Sequence, residues 1–339
     1  MKIMTVLMQH DYGVKSRGAS FEYTNIHLPA VELFGEENVF HFDFYAEYKQ
    51  SGKDAMNRRL IDEAKQFSPD IMLFCLFEEE IKESTITELN TFTKTSVYFF
   101  DDPWRQTFAR HWIQYFRYFS TPDYYMYRQY KSEGLKQAVY SPFGYNQDIY
   151  TKKNIPLKYE VTFVGGFSSY RKWVVSMLRK AGLDVHVFGR GWDSDRSWIS
   201  TGQMVDIFNQ SAVNLNLSNG VSYNLFHVFS SLTSPKAVKT MLLNRKIKEQ
   251  VKGRHYEICG CGGFQLSYFV PGLNLAYEID KEIAVFEDPQ LLAGQINFFL
   301  RHESLRKEIA EAGYQRSLRD HSAKQYLKNM FEQIAEGNA

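Results

Sequence analysis

Short apolar runs alternate with longer amphipathic stretches along most of the chain. That rhythm marks buried parallel strands joined by crossover helices. Ile3–Met8 predicts a first strand, which runs out through Gln9-His10-Asp11-Tyr12-Gly13 into a polar loop before a helix opens near Phe21. Val39–Tyr45 predicts a second strand, Lys53–Phe67 an amphipathic helix stopped by Ser68-Pro69, and Asp70–Phe77 a third strand. Glu78-Glu79-Glu80 is expected to open a helix, because acidic side chains favour the positive end of the helix dipole. Ser96–Phe100 reads as a fourth strand ending in Asp101-Asp102-Pro103-Trp104-Arg105. An aromatic helix around Ala109–Phe119, a short element at Tyr124–Met126, a helix near Gln129–Gly134 and a run at Ala138–Tyr140 complete the first half.

Residues 151–158 are polar, contain a proline and read as a linker. The pattern then restarts. Tyr159–Val164 predicts a strand leading into Gly165-Gly166, followed by a helix over Tyr170–Ala181 and strands at Val185–Gly189 and Ala212–Leu217. Between those two strands, Ser200 or Thr201 is expected to cap a helix carrying Met204, Ile207 and Phe208. Residues 234–250 look helical, and a helix is expected to begin within Glu257–Cys261. Strands at Phe264–Leu266 and Ile283–Phe286, then helices over Pro289–Arg301, Leu305–Arg319 and Ser322–Ala335, complete the chain. The expected architecture is α/β, with two Rossmann-like domains, 1–152 and 159–320, facing a central cleft.

Composition changes this picture little. A chain of 339 residues suits two domains of about 150 residues each. A net charge of +1 gives no global field for nucleic acid or an anionic membrane, so only a local patch could serve such partners. Cys75 lies in an apolar run, and Cys259 and Cys261 are too close for an unstrained disulfide and lack further zinc ligands. Small buried thiols suit a reducing compartment. The N-terminus lacks the apolar length of a signal peptide, and no run approaches a membrane span of roughly 20 residues. A cytoplasmic protein is expected.

Candidate chemistry centres on Lys252-Gly253-Arg254-His255-Tyr256-Glu257 and the small residues Cys259 to Gly263. Cations at Lys252 and Arg254 suit a phosphate, and the Glu257 carboxylate suits vicinal sugar hydroxyls. The alternative, that Glu257 is a helix-start residue answering the dipole, is the less favoured reading. Gly165-Gly166 between a strand and a helix can turn tightly and leave amides outward for phosphate, with Arg171 on the first helical turn beside it. Asp193-x-Asp195 has the letters of a metal motif, but its loop setting argues against a metal site. At strand ends of the first half, Asp101 and Asp102, then His10 and Asp11, are the candidates for a base.

The segment Lys252–Gly263, with Pro271-Gly272-Leu273, Glu282-Ile283, Arg306, Ile309-Ala310, Ala312-Gly313 and His321, resembles glycosyltransferases of GT-B fold, in particular the group related to the spore maturation protein CgeB. Tyr256 stands where that group usually has Phe, and Asp101-Asp102-Pro103-Trp104 resembles its DD-x-W strand end. The resemblance implies that the C-terminal domain binds a nucleotide sugar, with a UDP-sugar the expected donor. Glu257 would take the ribose hydroxyls, Lys252 or Arg254 the diphosphate, and Gly165, Gly166, Arg171, Tyr256, Gly262 and Gly263 would line the donor site. It implies further that the N-terminal domain holds the acceptor, that no metal or other cofactor is required, and that the terminal helix in 321–339 crosses back to the N-terminal domain. Glu249, eight residues before Glu257, has the spacing of the two-glutamate motif of some retaining GT-B families.

The acceptor is open: a glycan, a protein, a small molecule, or DNA held by the basic segment 236–254, whose single acid is Glu249. Rival readings are a nucleotide-sugar epimerase or hydrolase on the same fold, and a non-catalytic sugar- or nucleic-acid-binding protein.

Overall fold

The computed structural model describes residues 1–192, 199–232 and 234–337. The Asp193-x-Asp195 pair therefore lies outside the described residues. The chain divides into two compact units, residues 1–146 with 322–339, and residues 147–321.

The first unit runs β1 (Ile3–Val6), α1 (Leu28–Phe34), β2 (Val39–Phe42), α2 (Phe44–Ser51), α3 (Lys53–Phe67), β3 (Ile71–Phe74), α4 (Glu83–Leu89), β4 (Lys94–Tyr98), α5 (Gln106–Trp112), β5 (Tyr118–Thr121), α6 (Tyr124–Ser132) and β6 (Ala138–Tyr140). Its six strands form one parallel sheet in the order β2-β1-β3-β4-β5-β6. Every residue of β1 and β3 is buried. Helices cover both faces of such a sheet, which is why those strands read as unbroken apolar runs.

Three expectations shift here. Phe44 and Tyr45 leave the second strand for a helix, because the Asp43 carboxylate caps it by accepting from the Ala46 amide. Glu78–Glu80 open no helix: Glu80 is buried with its carboxylate on the Glu78 amide, and α4 starts at Glu83. The aromatic stretch after Trp112 is not one helix either. Tyr118–Thr121 is a strand between β4 and β6, with the Phe119 ring edge-on to Tyr130. Aromatics suit buried helices and strands alike, so their run carries no period to separate the two.

The second unit runs β7 (Tyr159–Val164), α7 (Ser169–Lys180), β8 (Val185–Phe188), α8 (Thr201–Asn209), β9 (Ser211–Asn216), α9 (Leu225–Ser231), α10 (Pro235–Leu243), α11 (Gly253–Gly260), β10 (Gln265–Tyr268), α12 (Leu273–Ala276), β11 (Ala284–Phe286), α13 (Leu292–Arg301) and α14 (Glu303–Asp320). Its sheet is parallel in the order β11-β10-β9-β7-β8. Ser200 caps α8 in a reciprocal box with Gln203. The helix expected over 234–250 stops at Leu243, and α9 precedes it unforeseen.

The last helix, α15 (Ala323–Glu336), is part of the first unit. It buries Leu327, Met330, Phe331 and Ile334, and the Lys94 ammonium donates to its final carbonyls at Ile334 and Ala335. A cation at that end answers both the unpaired carbonyls and the helix dipole.

Candidate functional site

In the second unit the chain leaves β7 for β8 on one side and takes up β9 on the other. Ligands in open α/β sheets bind at the carboxyl ends of strands beside such a reversal. Gly165-Gly166 follows β7 there, and Leu217-Ser218 follows β9. Arg171 ties the two together. Its guanidinium donates to the carbonyls of Gly166 at 2.9 Å, Leu217 at 2.9 Å and Ser218 at 3.1 Å, above the Phe163 ring. Burial pulls its pKa down to about 10, against the charge of Glu249, and leaves it a cation at neutral pH. Arg171 thus organises the strand ends with donors already committed to backbone. Gly165 is a glycine because a Cβ there would run into the Phe163 ring at 2.6 Å.

Glu249 joins the same edge. The Ser218 hydroxyl donates to one carboxylate oxygen, and the Tyr268 hydroxyl at the end of β10 donates to the other at 3.4 Å. The eight-residue spacing to Glu257 therefore coincides with a built position at two strand ends.

Helix α11 begins at Gly253, four residues earlier than the sequence suggests, so Glu257 sits mid-helix and not at a helix start. The start is fixed by His255, whose Nδ1 accepts from the Lys252 amide at 3.0 Å. An imidazole thus does the work usually given to Glu or Gln at the third helical position. Burial lowers the His255 pKa to about 4, which keeps the ring neutral and able to accept. Its Nε2 is buried with no partner among the described residues.

One helical turn places Arg254 and Glu257 together at 2.6 Å. The carboxylate is almost fully buried and also takes the Tyr150 hydroxyl, while the guanidinium lies over the Phe208 ring at 5.1 Å. The two groups expected to hold ribose and diphosphate thus hold each other. Lys252, at the N-cap, is half-buried.

The rest of the motif faces elsewhere. Tyr256 is buried against Tyr277 and His321. Gly262 takes a left-handed conformation (φ 69°) and closes the helix, while a Cβ on Gly263 would strike Asn214 and the Phe208 carbonyl. These two glycines stand at the end of α11 opposite Lys252, roughly 12 Å along an eight-residue helix. Their necessity is one of packing.

In the first unit the reversal falls between β1 and β3. Asp102 is buried, accepts from the Tyr130 hydroxyl at 2.7 Å and has its pKa pushed up to about 6 by burial. It faces the core, so it lacks the reach that a base for a bound hydroxyl needs. Asp101 is half-buried, and its carbonyl takes the Arg105 amide in the turn. His10 pairs with Ala19 across the loop after β1, and Asp11 lies 3.8 Å from Arg17.

A carboxylate passed over in the sequence is more notable. Half-buried Glu22 follows Ser20, whose hydroxyl donates to the Met8 carbonyl just beyond β1. Its carboxyl senses Asp11, Asp43 at the end of β2, and the Cys75 thiol after β3. Desolvation first, then those carboxylates, raise its pKa to about 7. Glu22 has no spacing signature, because the groups that shift it meet only when three strand ends come together.

No group of three or more His, Cys, Asp or Glu side chains suited to a metal occurs among the described residues.

Residues 171–332 match the family described as glycosyl transferase-like. The whole chain superposes on solved glycosyltransferase structures. A glycosyltransferase from Rickettsia africae is 11% identical with a TM-score of 0.61, covering 98% of this chain and 97% of that one. HepE of Anabaena, solved in complex with UDP-glucose, is 10% identical with a TM-score of 0.65, covering 99% and 100%. Sucrose-phosphate synthase from Thermosynechococcus elongatus is 9% identical with a TM-score of 0.64, covering 99% of each. The chain has a GT-B fold, and the segment 171–332 within it is similar to glycosyl transferases. No curated protein sequence matches it.

Proposed function

We propose that this protein transfers a sugar from a UDP-sugar to an acceptor hydroxyl without a metal, as a cytoplasmic enzyme of the group related to CgeB. The second unit holds the donor and the first the acceptor. The observation that supports the reading is the Arg254–Glu257 pair at 2.6 Å on α11, inside the segment that matches the family. The UDP complexes of the Anabaena protein support uracil as the donor base. Three buried, unpaired thiols suit the cytoplasm.

On donor binding, the Arg254–Glu257 pair opens its remaining valences. The carboxylate accepts from the ribose hydroxyls, while Arg254 and Lys252 take the diphosphate. Glu22 in its ionised form takes the proton of the acceptor hydroxyl. The freed oxygen bonds to the anomeric carbon as the bond from that carbon to the diphosphate breaks, and the leaving UDP carries away the electron pair. The two cations stabilise that developing charge and so supply what a divalent ion would otherwise supply.

Calorimetry with UDP, GDP, CMP and TDP tests the donor assignment. UDP binding, weakened strongly by Glu257→Gln, is expected; an absence of binding by every nucleotide refutes the reading. Hydrolysis of the donor with no acceptor ever glycosylated would point to a hydrolase instead.

A further inference from the structure

The connection between β9 and α11 carries α9 and α10 as an outward shelf. Its ends are tied, with the Val221 amide on the Lys246 carbonyl and the Asn244 amide group on the Asn219 carbonyl, both at 3.0 Å. Asn224 and Pro235 with Ser234 set the two helix starts. The inner side is anchored on α7 through buried His227, whose ring bonds the Ser169 hydroxyl at 3.1 Å and packs against Trp173. The outer side reverses the usual pattern of a surface helix. Leu225, Phe226, Phe229, Leu232, Leu242 and Leu243 are each between 63% and 74% exposed. Leu232, Leu242 and Leu243 share one open groove, which joins the two helices into a single surface. Around them stand exposed Lys239, Arg245 and Lys248, while the acid of the segment, Glu249, is turned inward onto Ser218 and Tyr268. Lys236 is drawn in over the Phe167 ring.

We propose that α9 and α10 dock this protein on an anionic lipid bilayer. Two features select that partner. Aliphatic and phenyl side chains gain by entering the acyl boundary, and cations at the rim gain from acidic headgroups. A second copy of the chain fits poorly, since a two-fold contact would set this cationic rim against itself. Nucleic acid would use the cations but leave the leucines in water. The shelf lies in the unit that the proposed function assigns to the donor, so on that reading docking would hold the donor-binding unit at the membrane.

The test is flotation of the full-length protein with vesicles of equimolar phosphatidylglycerol and phosphatidylcholine, against vesicles of phosphatidylcholine alone. Binding is expected to the anionic vesicles and to fall with added salt. Lys239→Glu/Lys248→Glu is expected to weaken partition on the order of tenfold or more, from about 1 kcal/mol per cation near the surface. Phe226→Ser/Phe229→Ser is expected to abolish it with the melting temperature unchanged, because both rings are already exposed. Equal binding to neutral vesicles, no binding to either, or full binding by both variants overturns the proposal. So does a concentration-dependent dimer that the Phe226→Ser/Phe229→Ser variant dissolves, or retention on DNA that survives that variant.

Discussion

Among single residues, Glu22 carries the most weight. A carboxyl whose pKa is raised to about 7 is half ionised near neutral pH, where a base is most useful. The rate of transfer is expected to rise with pH through about 7, and Glu22→Gln should remove that limb and lower kcat by about 100-fold or more. The same substitution should raise stability at pH 8. The folded state holds the proton up to about 7, whereas the unfolded chain gives it up near 4.5, so stability is lost as pH climbs between them. A neutral glutamine escapes that loss, and a gain of roughly 2–4 °C in Tm is expected. Lower activity with lower Tm would mark Glu22 as structural. Asp102, by contrast, stood out in the sequence and lies against Tyr130 in the core. An Asp-Asp-Pro strand end announces a turn and leaves open which of its carboxylates meets solvent.

At the scale of elements, α11 carries the richest motif in the sequence, yet its side chains are arranged differently from what the letters suggest. The parallel strands other than β5, together with α3 and the restart at Tyr159, followed from apolar period and length. The start of α11 did not, because His255 acts as the capping partner through an imidazole that burial keeps neutral down to about pH 4. Nor did the Arg254–Glu257 pair, although i,i+3 spacing on a helix allows it. Removing one member of a buried pair typically costs about 3–5 kcal/mol. With Arg254 a quarter exposed, Arg254→Met is expected to cost about 2 kcal/mol, and Glu257→Gln a similar amount. The double variant should recover at least about 1 kcal/mol of the sum, measured by denaturant unfolding. UDP affinity should fall far more than uridine affinity in Arg254→Met. Equal loss for both would leave Arg254 only the task of holding Glu257.

For the whole molecule, acid should separate the two units. In the second, His255 and His321 are buried with pKa values lowered to about 4, and burial lowers His227 too. The unfolded chain protonates its histidines near 6.5, so it binds more protons than the folded state between about 4 and 6.5, and stability falls as pH drops through that window. Each such histidine contributes up to about 1.4 kcal/mol per pH unit. In the first unit His27 acts in the same sense, with a pKa lowered to about 4, and His41 is lowered as well. There, however, Glu22 and Asp102 titrate near 7 and 6 when folded. Both bind protons that the unfolded chain does not yet hold, and so offset the histidines on acidification. Scanning calorimetry at pH 7.5 and pH 5 should show the transition of the second unit moving down more than that of the first. UDP identifies it, since a ligand raises the transition of the unit that binds it. If acid moves both transitions equally, or the first unit more, the burial of His255 and His321 does not govern acid stability. The histidine that shapes the start of α11 would then be free to titrate without unfolding it.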